Sequence, residues 1–167
     1  MKKFELTTES IETVSGEKLF RIKALVSFDA VEAGELGGYV EKEENLSHEG
    51  NAWVYDNAQV YGNARVYGNA RVHGNAQVCG DADIYDNSQK SSVDGFGSEN
   101  RTTTFFREKS GGVGVKCGCF YGTLDEFREK VRKTHGDSEI AQEYLAIADV
   151  EERRFKRVAK KGEETDD

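Results

Sequence analysis

From Gly50 the chain repeats itself every six residues. The units read Gly-Asn-Ala-Trp-Val-Tyr, Asp-Asn-Ala-Gln-Val-Tyr, Gly-Asn-Ala-Arg-Val-Tyr, Gly-Asn-Ala-Arg-Val-His, Gly-Asn-Ala-Gln-Val-Cys and Gly-Asp-Ala-Asp-Ile-Tyr, and a further unit opens at Asp86-Asn87-Ser88 before dissolving. Val54, Val60, Val66, Val72, Val78 and Ile84 hold one position, with alanines two residues before each. Side chains alternate across an extended strand, so alanine and valine share one face and the residues between them point the other way. The Gly-Asn pair supplies a corner, because both residues tolerate left-handed backbone conformations. Three strands and three corners close a triangular coil, and residues eighteen apart then stack.

This pattern resembles the hexapeptide-repeat left-handed parallel β-helix. The resemblance implies the handedness and a homo-oligomer, most simply a trimer. Counting back by six from Ala52 reaches Leu46 and Val40, so the repeat is expected to span residues 36–89 in about three coils. At about 4.8 Å per coil that is a stub roughly 14 Å tall. Such a stub buries little and leaves two open ends, so it needs caps or neighbours. On its outside Tyr55 falls over His73, Tyr61 over Cys79, Tyr67 over Tyr85, Trp53 over Arg71 and Arg65 over Asp83. Rows this aromatic suit a subunit interface. A ligand groove between subunits is the second reading, with Arg65, Tyr67, Arg71 and His73 as its candidates.

The flanks supply candidate caps. Residues 1–35 hold two strand-like pieces, Lys3–Leu6 and Leu19–Val26. In the second, Phe20, Ile22, Ala24 and Val26 form an apolar face, which suits a half-buried strand over the first coil. Residues 90–162 read as a ββαα module after a small-residue connector at 89–100. Its strands are Arg101–Phe106 and Val113–Phe120, joined by a turn at Glu108–Gly112. Thr123-Leu124-Asp125-Glu126 opens a helix with Leu124, Phe127 and Val131 on its apolar stripe, and His135-Gly136 stops it. A second helix begins near Asp137-Ser138 and carries Ile140, Tyr144, Ile147, Phe155 and Val158. Residues 163–167 end a polar tail that starts at Lys160. The expected class is mainly β with α+β content.

Composition narrows the partners. The 18 glycines are about one residue in nine, proline is absent, and the net charge is −8; average usage is roughly 7% glycine and 5% proline. Residues 1–50 carry 11 acids against 6 bases, while residues 51–90 carry 4 against 3. An acidic chain disfavours long nucleic acids, whose phosphates want a basic face, yet a few placed arginines still serve a small anion. No apolar run approaches the roughly 18–20 residues of a membrane span, and the start lacks the apolar stretch of a signal peptide. Three cysteines fit neither a disulfide framework nor a four-cysteine zinc site. A cytoplasmic location, in the host cell for a phage-encoded protein, is expected.

Hexapeptide-repeat acyltransferases need a general-base histidine beside a coenzyme groove. Here His73 is the histidine on the regular coils, with His48 at their edge and His135 at a helix end. A zinc site would need three converging histidines. Cys117 and Cys119 share a strand face and read as core thiols. Gly111-Gly112-x-Gly114 lacks the strand-then-helix context of a dinucleotide fingerprint and reads as a turn. No cofactor, metal or catalytic residue is expected.

The runs Gly97-Ser98-x-x-Arg101-Thr102-Thr103-Thr104-Phe105, Cys117-Gly118-Cys119-Phe120-Tyr121-Gly122-Thr123 and Thr134-His135-Gly136-Asp137 sit behind the repeat. The combination resembles small uncharacterised proteins of phages and prophages. With that setting, the leading expectation is a non-enzymatic protein that sequesters a nucleotide-derived immune signal. Arg101 would pair a phosphate, Ser98 and Thr103 would donate hydroxyl bonds, and Tyr121 would stack on a base. A structural or protein-inhibiting oligomer is the alternative, followed by an acyltransferase.

Overall fold

The structure, a computed structural model, describes the backbone of residues 1–165 and the side chains through Ala159. Each hexad forms one two-residue strand: β4 (Trp53–Val54), β5 (Gln59–Val60), β6 (Arg65–Val66), β7 (Arg71–Val72), β8 (Gln77–Val78) and β9 (Asp83–Ile84), preceded by β1 (Phe4–Glu12), β2 (Lys18–Ala24) and β3 (Leu36–Val40). Trp53 pairs in parallel with Arg71, Gln59 with Gln77 and Arg65 with Asp83, so the stacking period is eighteen residues. The repeated alanines and valines are buried and form the main core. Corner glycines Gly50, Gly62, Gly68, Gly74 and Gly80 have φ of 71°, 68°, 64°, 65° and 61°, the conformation that the Gly-Asn corners require.

The start of the stack departs from simple counting. Val40 pairs with Val60 and Leu46 with Val66, each twenty residues away. Both therefore occupy the valine position and not the alanine position expected by counting sixes. The corner between Leu46 and Ala52 is two residues longer than its successors. That extra length carries His48, whose ring stacks on Phe4 at 4.3 Å.

The first edge is closed by the N-terminal hairpin. β1 and β2 are antiparallel, β2 is antiparallel to β3, and β3 runs parallel to β5, giving a mixed sheet β1-β2-β3-β5-β8. β1 is longer than the piece expected at Lys3–Leu6, while β2 begins one residue earlier and ends two earlier than the piece expected at Leu19–Val26. Irregular register in both pairings moves Leu19 into the core beside Ile22 and Ala24, while Phe20 is half-buried under the Lys18 ammonium at 5.5 Å. Trp53 faces outward from the repeat but is fully buried, with Phe4 and Phe28 meeting it edge-on. Trp53, read as part of an intersubunit surface, is thus covered by its own chain, while Arg71 below it stays exposed.

The trailing edge meets a second body. It holds an antiparallel sheet of β10 (Lys90–Phe96), β11 (Arg101–Arg107), β12 (Val113–Cys117) and β13 (Phe120–Thr123), followed by α1 (Leu124–His135) and α2 (Glu139–Thr165). The fold is mainly β with two C-terminal helices. The module has four strands where two were expected. The supposed connector pairs with β11 as β10, despite its small residues, and Gly118 at φ 57° folds the expected return strand into β12 and β13. Both turns of the sequence reading around α1 hold: the Thr123 hydroxyl accepts from the Glu126 amide at 3.2 Å, and Gly136 at φ 59° ends the helix. Phe106 reaches the repeat core, and Phe105, Val115, Phe127 and Tyr144 build a second core under the helices. Lys160 to Thr165 continue α2 and do not begin a tail, while Asp166 and Asp167 lie outside the described residues. No described helix is long and apolar enough to cross a membrane.

Candidate ligand-binding site

The eight residues singled out in the sequence fall into separate places. Ser98 and Arg101 share a cavity of about 290 Å³ between the β12–β13 turn and α1. Phe120, Phe127 and Val131 give it an apolar wall, and Lys130, Thr134 and His135 line it from α1. Tyr144, from α2, lines it too; its hydroxyl donates to the Phe96 carbonyl at 3.3 Å, and its ring stacks against His135. Burial, then the neighbouring Cys117, pushes the Tyr144 hydroxyl up to about 12, so it stays protonated as a donor at neutral pH.

Backbone geometry sets the Arg101 position. A Cβ on Gly118 would lie 2.0 Å from Arg101 Nη1, so the guanidinium rests against the bare Cα of the turn. Arg101 donates to the Glu99 carboxylate at 2.5 Å, and both groups are solvent-exposed. This pairing raises the Arg101 pKa. An exposed pair of this kind contributes little to stability, which leaves the guanidinium free to exchange one anion for another.

Thr103 and Tyr121 do not join the cavity. Thr103 is buried and donates its hydroxyl to Cys117 Sγ at 3.2 Å. The neighbouring threonines are also engaged: Thr102 donates to Asp94 at 2.6 Å, and Thr104 accepts from the Gln77 amide at 2.9 Å. The hydroxyl-rich strand is therefore wired into the fold. Tyr121 stacks on Phe106 and donates to Glu108, at 3.2 Å from each carboxylate oxygen. Both of these placements correct the expectation, and the reason is the same. Each hydroxyl meets a partner that only the packed sheet and stack bring near.

The repeat candidates are divided between two sides. Arg65 stacks over Tyr67 at 5.6 Å, and Tyr67 donates to Asp83 at 3.2 Å and tilts against Tyr85. Glu43 and Glu44 line the cavity on one side of this pair, and Asp81 and Asp83 the cavity on the other. An acid-lined setting disfavours a phosphate. Arg71, on β7, is ion-paired with Asp29, and His73 is exposed beyond it.

Several cavity residues went unread in the sequence. The sequence marks His135 only as a helix end and Tyr144 only as an apolar helix position. Cys119 is exposed in the turn and is not a core thiol, because Gly118 takes it off the strand. The available signal was the helical spacing of Phe127, Val131 and His135, with Lys130 and Thr134 beside them. Among the described residues, no group of three or more histidines, cysteines or acids could hold a metal.

Comparison with known proteins bears on the repeat. No curated protein matches the chain. The family described as the YdcK β-solenoid repeat matches residues 58–74, within the stacked hexads, and supports a β-solenoid-like repeat there.

Proposed function

We propose that this chain is a non-catalytic binding protein that sequesters a small, anionic, nucleotide-like ligand. The observation that carries the reading is one cavity in which Arg101 and Lys130 stand beside Phe120 and Phe127, with Ser98 and Thr134 as hydroxyl donors. Cations and hydroxyls suit phosphate oxygens, and an aromatic wall suits a ring. The resemblance of the sequence to phage and prophage proteins supplies the setting: an immune signal held out of reach in the host cytoplasm. The eighteen-residue parallel register supports a helix of about three coils, and the resemblance to hexapeptide-repeat proteins implies that it is left-handed. The exposed Tyr85 beside Tyr67 supports a homo-oligomer, read as a trimer. It equally favours the second reading, an oligomer that acts by gripping another protein.

The test uses purified full-length protein incubated with cyclic dinucleotides and ADP-ribose-type signals. The protein is removed and the remaining signal is assayed before and after heating the bound fraction. Signal that disappears and returns intact on heating supports sequestration. Signal lost without recovery means turnover, and no uptake favours the protein-gripping oligomer. Arg101→Ala is expected to weaken uptake at least tenfold with an unchanged melting temperature.

A further inference from the structure

Arg101 and Cys119 line a second cavity as well as the first. This one is about 410 Å³ and lies on the other side of the β12–β13 turn. Its walls come from distant parts of the chain: Glu12 at the end of β1, Thr13 and Val14 from the β1–β2 loop, and Gln59, Gln77 and Tyr61 from the repeat. Gln59 and Gln77 are register partners on β5 and β8, both half-buried. Neither side-chain amide has a hydrogen-bond partner among the described residues. A free amide offers donors and an acceptor together, the combination that reads the edge of a base or a ribose hydroxyl.

We infer that the two cavities are the two lobes of one site, and that its ligand class is a molecule with two ring systems joined through phosphate. This rests on the anionic-ligand reading above and extends it. The guanidinium is the shared element, lying on the Gly118 turn that separates the lobes. A phosphate on Arg101 displaces Glu99 from its pairing. One ring then lies against Phe120 and Phe127 in the apolar lobe, and the other meets Gln59 and Gln77 in the polar lobe. A mononucleotide fills one lobe and leaves the other amides or aromatics unused. The site is complete only when the N-terminal hairpin, the repeat and the C-terminal module are all in place, which gives the three parts of the chain a common purpose.

Cys119 supplies the readout, since it is the exposed cysteine while Cys79 is buried. Full-length protein is treated with iodoacetamide, and alkylation of Cys119 is followed by mass spectrometry, with fragmentation to separate it from Cys117. The probes are AMP and GMP as one-ring ligands, and cyclic diadenylate, cyclic diguanylate and NAD as two-ring ligands. Protection by a two-ring probe at a concentration at least tenfold below that of the mononucleotides is expected. Gln77→Leu should remove that advantage. Equal protection by both classes, with Gln77→Leu silent, overturns the two-lobe inference while the single-cavity reading stands. Absence of protection by every probe overturns both. Circular dichroism of the variant separates a misfolded protein from an idle lobe, and Gln77→Glu, which keeps the size but repels phosphate, gives a second variant with the same expected loss.

Discussion

The Lys3 ammonium donates to the Ala52 carbonyl at 2.7 Å and to the Gly50 carbonyl at 3.2 Å. Deeper in the stack such carbonyls accept an amide from the coil before, as Gly68 accepts from Asn51 and Ala70 from Trp53. Lys3 therefore takes the place of two amides of a coil that does not exist. Asn45 does the same on another side, its Nδ2 donating to the Ala64 carbonyl at 2.9 Å and the Gly62 carbonyl at 3.2 Å. At the trailing edge the roles reverse, and Asn87 Oδ1 and Thr104 Oγ1 accept from the Arg71 and Gln77 amides at 2.8 and 2.9 Å. A short stack thus ends its ladders with side chains, which answers the problem of unpaired edges.

Removing these mimics should cost stability out of proportion to their size. Lys3→Met leaves two carbonyls without their donor and is expected to lose about 2 kcal/mol. Asn45→Ala also frees the Lys42 amide, which donates to Asn45 Oδ1 at 3.0 Å, and is expected to lose about 2–3 kcal/mol. Asn45→Asp should be worse at neutral pH, because a carboxylate would face two carbonyl oxygens. Urea denaturation midpoints, with emission from the buried Trp53 as the probe, measure all three. A loss below about 0.5 kcal/mol for both Lys3→Met and Asn45→Ala would show that the edge does not depend on them.

Lys3 also gives the fold a pH signature. Burial lowers its pKa from 10.5 to about 8. The unfolded chain then binds more protons between these values, so the Lys3 contribution to stability rises as pH climbs from about 8 toward 10.5. A neutral amine keeps two N–H donors for its two carbonyls. The stability gap between wild type and Lys3→Met is expected to widen from pH 7.5 to pH 10, measured by urea titration at each pH; a gap that narrows contradicts the assignment.

Arg128 ties the two helices together. Its guanidinium, largely buried, lies 2.8 Å from Asp149, 3.2 Å from Glu152 and 3.3 Å from Asp125. The pairing with Asp149 and Glu152 raises the Arg128 pKa. A shared arginine with three acids outweighs an isolated surface pair, so Arg128→Leu is expected to cost about 1–2 kcal/mol. Raising salt should shrink the difference between wild type and variant, which thermal melts at low and high ionic strength will test.

At the site, Gly118→Ala and Glu99→Gln should move binding in opposite directions. The alanine must hold a positive φ, at about 1–2 kcal/mol, and its Cβ displaces the Arg101 guanidinium. Ligand affinity is expected to fall at least tenfold. Glu99→Gln removes the competing carboxylate and should raise affinity several-fold. Titration calorimetry with the best-protecting probe measures both; the same direction for both variants would remove Arg101 from the site.

The repeat and both helices were legible in the sequence because their signals are local. A six-residue period names its own inward face through Ala52 and Val54, and Thr123 and Gly136 mark where α1 begins and ends. β10 was not legible, since Ser91, Ser92 and Gly95 have little strand preference and become a strand through pairing with β11. The two-residue slip at Leu46 and Val40 was missed for a related reason. Either register buries an apolar residue, and the longer corner around His48 is chosen by its packing on Phe4.

The candidate site divides along the same line. Sequence alone determined that Arg101 and Ser98 are polar groups near a glycine-containing segment, and that the chain carries a net charge of −8. Tertiary structure decided which neighbours they meet. It buried Thr103 against Cys117, set Tyr121 against Phe106 and Glu108, and placed Lys130 and His135 of α1 opposite Arg101. It also brought Gln59 and Gln77 from some forty and twenty-four residues earlier to the other side of the same arginine. Backbone periodicity is written in nearest neighbours along the chain, whereas a binding cavity is made of residues that meet only after the core has formed.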